Sequence, residues 1–126
     1  IAERNEDADV IHEFLNQYCT TVPNLTVVRN DVYARFSHSS YNKGTVLAEL
    51  TRRLGISAEN VLAAGDHLND LPMLLTHYAR YLVSPANAVE TVKTQVRAQN
   101  GYISNLTHGH GVADGIEFHL NQIAKS

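Results

Sequence analysis

Three polar residues follow one short apolar run of the sequence. The run 61–64 carries no polar side chain, and Asp66, Asn69 and Asp70 come after it, beyond a glycine. Such a run is typical of a strand buried on both faces of a parallel sheet. Asp66 and Asp70 are one helical turn apart, so both carboxylates can be directed at one point. Mg²⁺ takes a few carboxylate oxygens and leaves its other positions to water and substrate phosphate.

These residues also have a purely structural explanation. Asp and Asn often cap helices by accepting hydrogen bonds from the first backbone N–H groups, and Asp70 alone fits that description. Two acids and an amide at one strand end fit a ligand site better, because ligands bind at the carboxyl ends of strands in open α/β sheets. We therefore expect a metal and phosphate site here, with Asp66 and Asp70 directed at the metal.

Lys43 is a second candidate, at the start of the helix predicted before this strand. The helix dipole favours anions at that end, so a lysine there is poorly placed for helix stability. The simple explanation is a solvated surface lysine. The functional explanation is a point charge held against a phosphate or an aspartyl nucleophile.

The elements that must position these residues follow from the apolar periodicity. From residue 43 the patterns alternate as helix and strand, which predicts right-handed βαβ units and a parallel sheet. Strands are expected at 61–64, 81–83 and 102–103, and helices at 43–54 and 69–77, with a further helix capped by Asn87 and Glu90. Two helices carry an apolar stripe on one side: Val46, Leu47, Leu50 and Leu54 in one, and Val112, Ile116, Leu120 and Ile123 in the closing one.

Residues 1–41 show a different pattern and predict a separate α+β piece, with a boundary near 39–42. A helix is expected at 6–20, followed by a hairpin of strands 25–29 and 32–37 that turns at Asn30-Asp31. The predicted stripe of this helix consists of Val10, Ile11, Phe14, Leu15 and Tyr18.

Composition narrows the class of protein. The 126 residues carry ten basic and thirteen acidic side chains, a net charge of -3, and no Lys/Arg-rich run, so a nucleic-acid binder is not expected. No apolar stretch approaches the roughly 20 residues that cross a bilayer. Cys19 is the only cysteine, which excludes an internal disulfide and favours a reducing cytoplasm.

From about residue 42 to its end, the sequence resembles the haloacid dehalogenase (HAD) superfamily, in particular Cof-type, sucrose-phosphatase-like phosphatases with a large α+β cap. The resemblance implies that 42–126 form the C-terminal part of a Rossmann-like α/β core and that 1–41 end a cap domain. The matching segments are Asn42-Lys43-Gly44, Leu54-Gly55-Ile56, Gly65-Asp66-His67-Leu68-Asn69-Asp70-Leu71-Pro72-Met73-Leu74, Pro85-Ala86-Asn87-Ala88, Val92-Lys93 and Gly111-Val112-Ala113-Asp114-Gly115-Ile116.

The resemblance also implies hydrolysis of a phosphate monoester through an aspartyl-phosphate, on a small phosphorylated metabolite such as a sugar phosphate. Lys43 would then steady the nucleophile and the transferring phosphoryl group. Asp66 would bind Mg²⁺, Asn69 would contact substrate phosphate, and Asp70 would support the metal site and catalysis.

The nucleophile motif of that family, Asp-x-Asp after a buried strand, has no match. The sole Asp-x-Asp is Asp7-Ala8-Asp9, at a predicted helix start where acids offset the dipole. We therefore expect a chain that begins inside the cap and is inactive alone. The strand ending near Asp66 would leave a bare edge, covered by a missing N-terminal half of the enzyme or by a second copy.

Two other functions stay open at this point. One is a non-catalytic domain that binds phosphorylated ligands or a partner protein. The other is the phosphorylation domain of a P-type cation pump, which has a similar Gly-Asp-x-x-Asn-Asp turn but belongs to a membrane protein. The pair His108 and His110 lacks the further ligands that zinc would need, and His67 is expected to be a loop histidine.

Overall fold

The structure is a computed structural model that describes all 126 residues. The chain forms two compact units, Ile1–Asn42 and Lys43–Ser126. The first contains a two-stranded antiparallel sheet and the second a three-stranded parallel sheet. No helix combines the length and the apolar character that crossing a membrane requires.

The first unit consists of helix α1 (Asn5–Cys19) and a hairpin of strands β1 (Leu25–Asn30) and β2 (Tyr33–His38). Asn30 pairs with Tyr33, so the turn is formed by residues 31 and 32 rather than by the predicted Asn30-Asp31. Asp31 has a φ of 53°, the left-handed conformation that Asn and Asp tolerate best among residues with a side chain.

The predicted helix is present, but its apolar stripe is mostly exposed. Val10 and Phe14 are 70% and 66% exposed, whereas Ala8 and Cys19 are buried. Arg29 on β1 explains which face of α1 packs against the hairpin. This buried side chain donates to the Asn5 Oδ1 atom at 3.1 Å and pairs with Asp9, so the face that meets the hairpin must be the one that brings these acceptors over β1.

The second unit alternates helices and strands, as the sequence predicted. Its strands run parallel in the order β3-β4-β5, which confirms the α/β fold class. The elements are α2 (Lys43–Leu54), a first 3₁₀ helix (Ala58–Asn60), β3 (Leu62–Ala64), a second 3₁₀ helix (Leu68–Met73), β4 (Tyr81–Ser84), α3 (Glu90–Ala98), β5 (Tyr102–Ile103) and α4 (His108–Lys125).

The core of this unit lies around β4, whose successive side chains point to opposite faces of the sheet. Leu82 is fully buried in a cluster with Val92 and Val96 of α3. Val83 faces α4, which approaches so closely that a Cβ atom on Gly115 would lie 2.2 Å from Val83 Cγ1. One helix therefore covers each face of the sheet, and β3 is left as an edge strand with β4 as its single neighbour.

The predicted helix 69–77 is wrong in type and length. The segment is a 3₁₀ helix that ends at Met73, with Pro72 inside it. Side chains of α3 and of the residue directly after it take the place of further helical hydrogen bonds. Gln95 donates to the carbonyl oxygens of Leu71 and Leu74 at 2.7 and 2.8 Å, and Gln99 donates to Leu74 O at 2.7 Å.

Two predicted stripes of this unit are also mostly exposed. In α4, Gly111, Gly115 and His119 face the core. The two glycines allow the helix to approach closely, and the ring of His119 lies within hydrogen-bonding distance of Leu82 O on β4. A three-stranded sheet is too narrow to cover the remaining apolar side chains. Those left exposed are Val46, Leu50 and Leu54 of α2 and Ile116, Leu120 and Ile123 of α4.

Asn87 does not cap α3. That helix begins at Glu90 with Val89 as its N-cap residue, and no side chain caps it. Asn87 Oδ1 instead accepts a hydrogen bond from the backbone N–H of His108 at 2.6 Å. The loops that follow β4 and β5 are thereby joined, because Ala86 N also donates to Leu106 O at 2.8 Å.

Candidate functional site

The turn after β3 depends on a glycine. The strand ends at Ala64, and the second 3₁₀ helix folds back so closely that a Cβ atom on Gly65 would lie 2.5 Å from the Cβ atom of Asp70. Non-bonded carbon atoms do not tolerate that separation. Glycine at position 65 is therefore what allows Asp70 to lie directly against the end of the strand.

Asp70 is the most constrained polar residue of this turn. It is 4% exposed, and its Oδ2 atom accepts the backbone N–H groups of Asp66 at 2.9 Å and His67 at 3.2 Å. Its Oδ1 atom accepts from Lys43 Nζ. Burial raises the pKa of the Asp70 carboxyl, but the hydrogen bonds from Lys43, Asp66 and His67 outweigh burial and hold the pKa below its ordinary value.

Lys43 reaches Asp70 because α2 begins against the second 3₁₀ helix. A Cβ atom on Gly44 would lie 2.2 Å from Pro72 O, so glycine is needed for this approach as well. Lys43 is half exposed, with its ammonium group on the buried carboxylate. The ion pair accounts for a lysine at the end of a helix where the dipole is unfavourable.

A cavity of about 410 Å³ opens at the carboxyl ends of the strands, and we call it the carboxyl-end cavity. The structure brings Lys43, Asp66 and Asp70 together in its wall, whereas Asn69 is half-buried and not part of that wall. Sequence reasoning missed His108 and Gly109, whose one signal was a His-Gly-His motif. The wall consists of Lys43, Ala64, Gly65, Asp66, Asp70, Met73, Pro85, His108, Gly109 and Val112.

The donor atoms in this wall suit a hard divalent cation. Asp66 is exposed at the strand end, and Asp70 lies next to it with both carboxylate oxygens already hydrogen-bonded. No group of three or more His, Cys, Asp or Glu side chains is positioned to hold a metal. Two carboxylates match Mg²⁺, which commonly keeps several waters and shares a substrate phosphate, better than Zn²⁺, which is usually held by three or four protein ligands.

A second cavity, of about 370 Å³, lies toward the amino ends of β3 and β4, and we call it the amino-end groove. It separates α4 from the edge strand β3 and is mainly apolar. No cluster of charged side chains borders it. Its lining consists of Asn60, Leu62, Tyr81, Ile116, His119, Leu120 and Ile123.

Comparison with known proteins identifies the family of this chain. The family model described as haloacid dehalogenase-like hydrolase matches residues 1–116. The chain therefore belongs to the haloacid dehalogenase-like hydrolases, which confirms the resemblance found in the sequence.

Particular relatives refine this assignment. The chain is 30% identical over 113 residues to the phosphoglycolate phosphatase of Methanothermobacter thermautotrophicus, a match that covers 90% of the chain and 46% of that protein. It is 39% identical over 75 residues to the Bacillus subtilis 5-amino-6-(5-phospho-D-ribitylamino)uracil phosphatase YcsE, covering 60% of the chain and 28% of that protein. The chain thus spans less than half the length of the curated relatives it matches.

Solved structures show the same fold. SMU.1108c from Streptococcus mutans aligns with a TM-score of 0.69 at 26% identity, over 94% of this chain and 42% of that one. The sucrose-phosphatase of Synechocystis sp. PCC6803 aligns with a TM-score of 0.64 at 21% identity, over 87% of this chain and 45% of that one. At that identity the second likeness concerns the fold alone.

Proposed function

We propose that this chain carries the metal-facing and phosphate-facing residues of a Mg²⁺-dependent phosphate monoester hydrolase. One observation carries the proposal: Lys43, Asp66 and Asp70 meet in one cavity at the carboxyl ends of parallel strands. Ligands bind at this end of open α/β sheets. Phosphoryl transfer needs carboxylates that hold a metal ion, and a positive charge that offsets the negative charge on the phosphoryl oxygens. The two aspartates and Lys43 are groups of these kinds.

Each residue has a distinct role in this proposal. Asp66, exposed at the strand end, is the carboxylate offered to Mg²⁺. Asp70 holds Lys43 and the turn in place, and its two engaged oxygens favour an indirect role at the metal over direct binding. Lys43 presents a positive charge to the transferring phosphoryl group. Bound Mg²⁺ would offset the remaining negative charge of that group. Asn69 would contact the substrate phosphate, a role that only the resemblance to the haloacid dehalogenase family supports.

The nucleophile in this proposal is an aspartate from a polypeptide segment outside these 126 residues. Asp7 and Asp9 are poor candidates, because both lie in α1 and pair with Arg4 and Arg29. The unpaired edge of β3 and the apolar amino-end groove beside it favour a further strand and helix at this position. That segment is the N-terminal half of the enzyme, with a second copy of this chain as the alternative.

The substrate class is a small phosphorylated metabolite. Both named relatives that match the chain are phosphatases of such compounds, phosphoglycolate and a phosphoribitylamino-uracil. A carboxyl-end cavity of about 410 Å³ suits a phosphate group with a short organic part better than a macromolecule. In the same proposal, Ile1–Asn42 belongs to a cap domain.

A chimaera tests the proposal. This chain would replace the matching segment of the Methanothermobacter phosphatase, and hydrolysis of p-nitrophenyl phosphate would be followed with and without Mg²⁺. We expect Mg²⁺-dependent hydrolysis that Asp66→Asn abolishes and Lys43→Ala lowers at least a hundredfold. Lys125→Ala, at the exposed end of α4, is the matched control and should change nothing.

The same chimaera separates the enzyme from its main alternative, a domain that binds phosphorylated ligands without catalysis. A folded chimaera that binds inorganic phosphate but hydrolyses nothing would favour the binding domain. The isolated chain should hydrolyse nothing. Hydrolysis by the isolated chain that disappears in Asp66→Asn would show that a nucleophile lies within these 126 residues.

A further inference from the structure

His108 lines the carboxyl-end cavity together with Lys43, Asp66 and Asp70. It is the first residue of α4 and follows the loop after β5, so it approaches the cavity from a different strand than the acidic turn does. His110, two residues further along, is exposed and does not line the cavity.

The backbone of His108 is held in a conformation uncommon for a residue with a side chain. Its φ is 53°, and its N–H donates to Asn87 Oδ1 at 2.6 Å. The first turn of α4, which follows His108, is also closely packed, because a Cβ atom on Gly111 would lie 2.3 Å from Leu106 O. Left-handed residues other than glycine persist where their surroundings fix them, and they gather at binding and catalytic sites.

The cavity wall is short of hydrogen-bond donors for a phosphate. Among its side chains, those of Lys43 and His108 alone carry N–H groups, and the Lys43 ammonium already pairs with Asp70. Without bound Mg²⁺ the Asp66 carboxylate repels an anion, and the charge of Lys43 is largely offset by Asp70. A phosphate in the cavity therefore needs a donor besides Lys43, on a part of the wall away from the two carboxylates.

We propose that His108 is a substrate-contacting residue that donates a hydrogen bond from its imidazole to the phosphate group of the substrate. This inference rests on the proposed function and adds to it a contact from the start of α4. The starts of two helices, α2 with Lys43 and α4 with His108, then supply side-chain donors to one phosphate. The left-handed backbone at position 108 serves to direct the imidazole into the cavity.

Calorimetric titration of the 126-residue chain with inorganic phosphate, at saturating Mg²⁺, tests this contact. We expect His108→Asn to raise the Kd about tenfold, the usual effect of losing a hydrogen bond to a charged group. Asparagine tolerates a positive φ, so the loop should keep its shape. His110→Asn removes an imidazole from the same turn outside the cavity and should leave the Kd unchanged.

Stability measurements separate a ligand contact from a merely structural role. His108→Gly also accommodates the positive φ, so it should weaken phosphate binding without lowering the urea midpoint by more than His110→Gly does. Parallel loss of binding and stability in both His108 variants would overturn the contact. Equal phosphate affinity of wild type and His108→Asn would overturn the contact and leave the proposed function standing. If the wild-type chain binds no phosphate, both the His108 contact and the proposed function are contradicted.

Discussion

The two units of this chain differ in what they bury. In Lys43–Ser126, the side chains of Leu74, Leu82, Val83, Val92 and Val96 are completely inaccessible to solvent. In Ile1–Asn42 no apolar side chain is, and the most buried large polar group is the guanidinium of Arg29. The larger unit therefore has an apolar core of its own. The smaller one is held by a hairpin, a helix and a buried arginine with its acceptors.

This difference shows where precise geometry is needed. The candidate site belongs to the unit with the close-packed core, and its residues are held by contacts that allow no additional atom, as at Gly44 and Gly65. A phosphate site requires polar groups fixed to within a fraction of an ångström. The smaller unit leaves the apolar stripe of α1 exposed, which is typical of a surface that a further segment covers.

The largest expected effect is the loss of a core side chain in the larger unit. Leu82→Ala removes a fully buried side chain between β4 and α3, and we expect it to lower the free energy of unfolding by about 2–5 kcal/mol. Urea unfolding followed by circular dichroism measures this. Leu54→Ala, at an exposed position of α2, should change stability by less than about 0.5 kcal/mol. Similar losses in both variants would contradict the assigned core.

The second prediction concerns the turn that holds Asp70. Gly65→Ala places a methyl group 2.5 Å from the Asp70 Cβ atom, so the turn must shift. We expect a cost of about 1–3 kcal/mol together with a loss of phosphate affinity. Gly109→Ala is the matched control for stability, since a Cβ atom there meets nothing within 4 Å. An unchanged phosphate affinity in Gly65→Ala would show that phosphate binding does not depend on the shape of this turn.

The third prediction concerns the charge on Asp70. Because its pKa is lowered in the folded state, the unfolded chain takes up the proton first as the pH falls. The stability that ionised Asp70 contributes is thus complete above about pH 4 and is lost as the pH falls through the lower, folded-state pKa. Lys43→Met should raise that pKa, measured by carboxyl ¹³C NMR, and cost about 1–2 kcal/mol at pH 7, since Lys43 is half exposed.

The control for this charge is Asp70→Asn. Its stability should fall less steeply than that of the wild type as the pH drops below 4, because the titrating group is absent. An unchanged Asp70 pKa in Lys43→Met would mean that the ion pair does not hold the carboxylate in its charged form.

The smallest effect is expected on the exposed stripe of α1. Phe14→Ser should change the free energy of unfolding by less than about 0.5 kcal/mol, because Phe14 is mostly exposed. Val27→Ser, at a buried position of β1, should cost about 2 kcal/mol or more. Thermal unfolding of both variants measures this difference between an exposed and a buried position of the smaller unit. A large loss in Phe14→Ser would show that the stripe already belongs to the folded core of its unit.

Local patterns were enough to predict the parallel sheet and the strand end that carries Asp66. An apolar run such as 61–64 depends on a short stretch of chain, where propensity and burial act together. The family resemblance assigned Lys43 and Asp70 to one site but did not predict their ion pair, which the close approach of Gly44 to Pro72 allows in the structure.

Long-range packing explains the errors. Helical periodicity indicates which residues of α1 and α4 form an apolar stripe, but not whether this chain supplies anything to cover it. The helix predicted at 69–77 ends early in the structure, where Gln95 of α3 and Gln99, directly after α3, donate to the carbonyl oxygen of Leu74 from more than twenty residues away in sequence. The place of His108 in the cavity wall likewise depends on Asn87, a residue whose side chain had been expected to cap α3.

The central claim is that Lys43–Ser126 holds a metal and a phosphate at the carboxyl ends of its strands. A titration of the ¹⁵N-labelled chain with millimolar Mg²⁺, followed by inorganic phosphate, tests it most directly. We predict that amide shifts concentrate at Gly65, Asp66 and Asp70, extend to residues 108–109 with phosphate, and disappear in Asp66→Asn. Shifts that are absent, scattered over the surface, or unchanged in Asp66→Asn would contradict the claim.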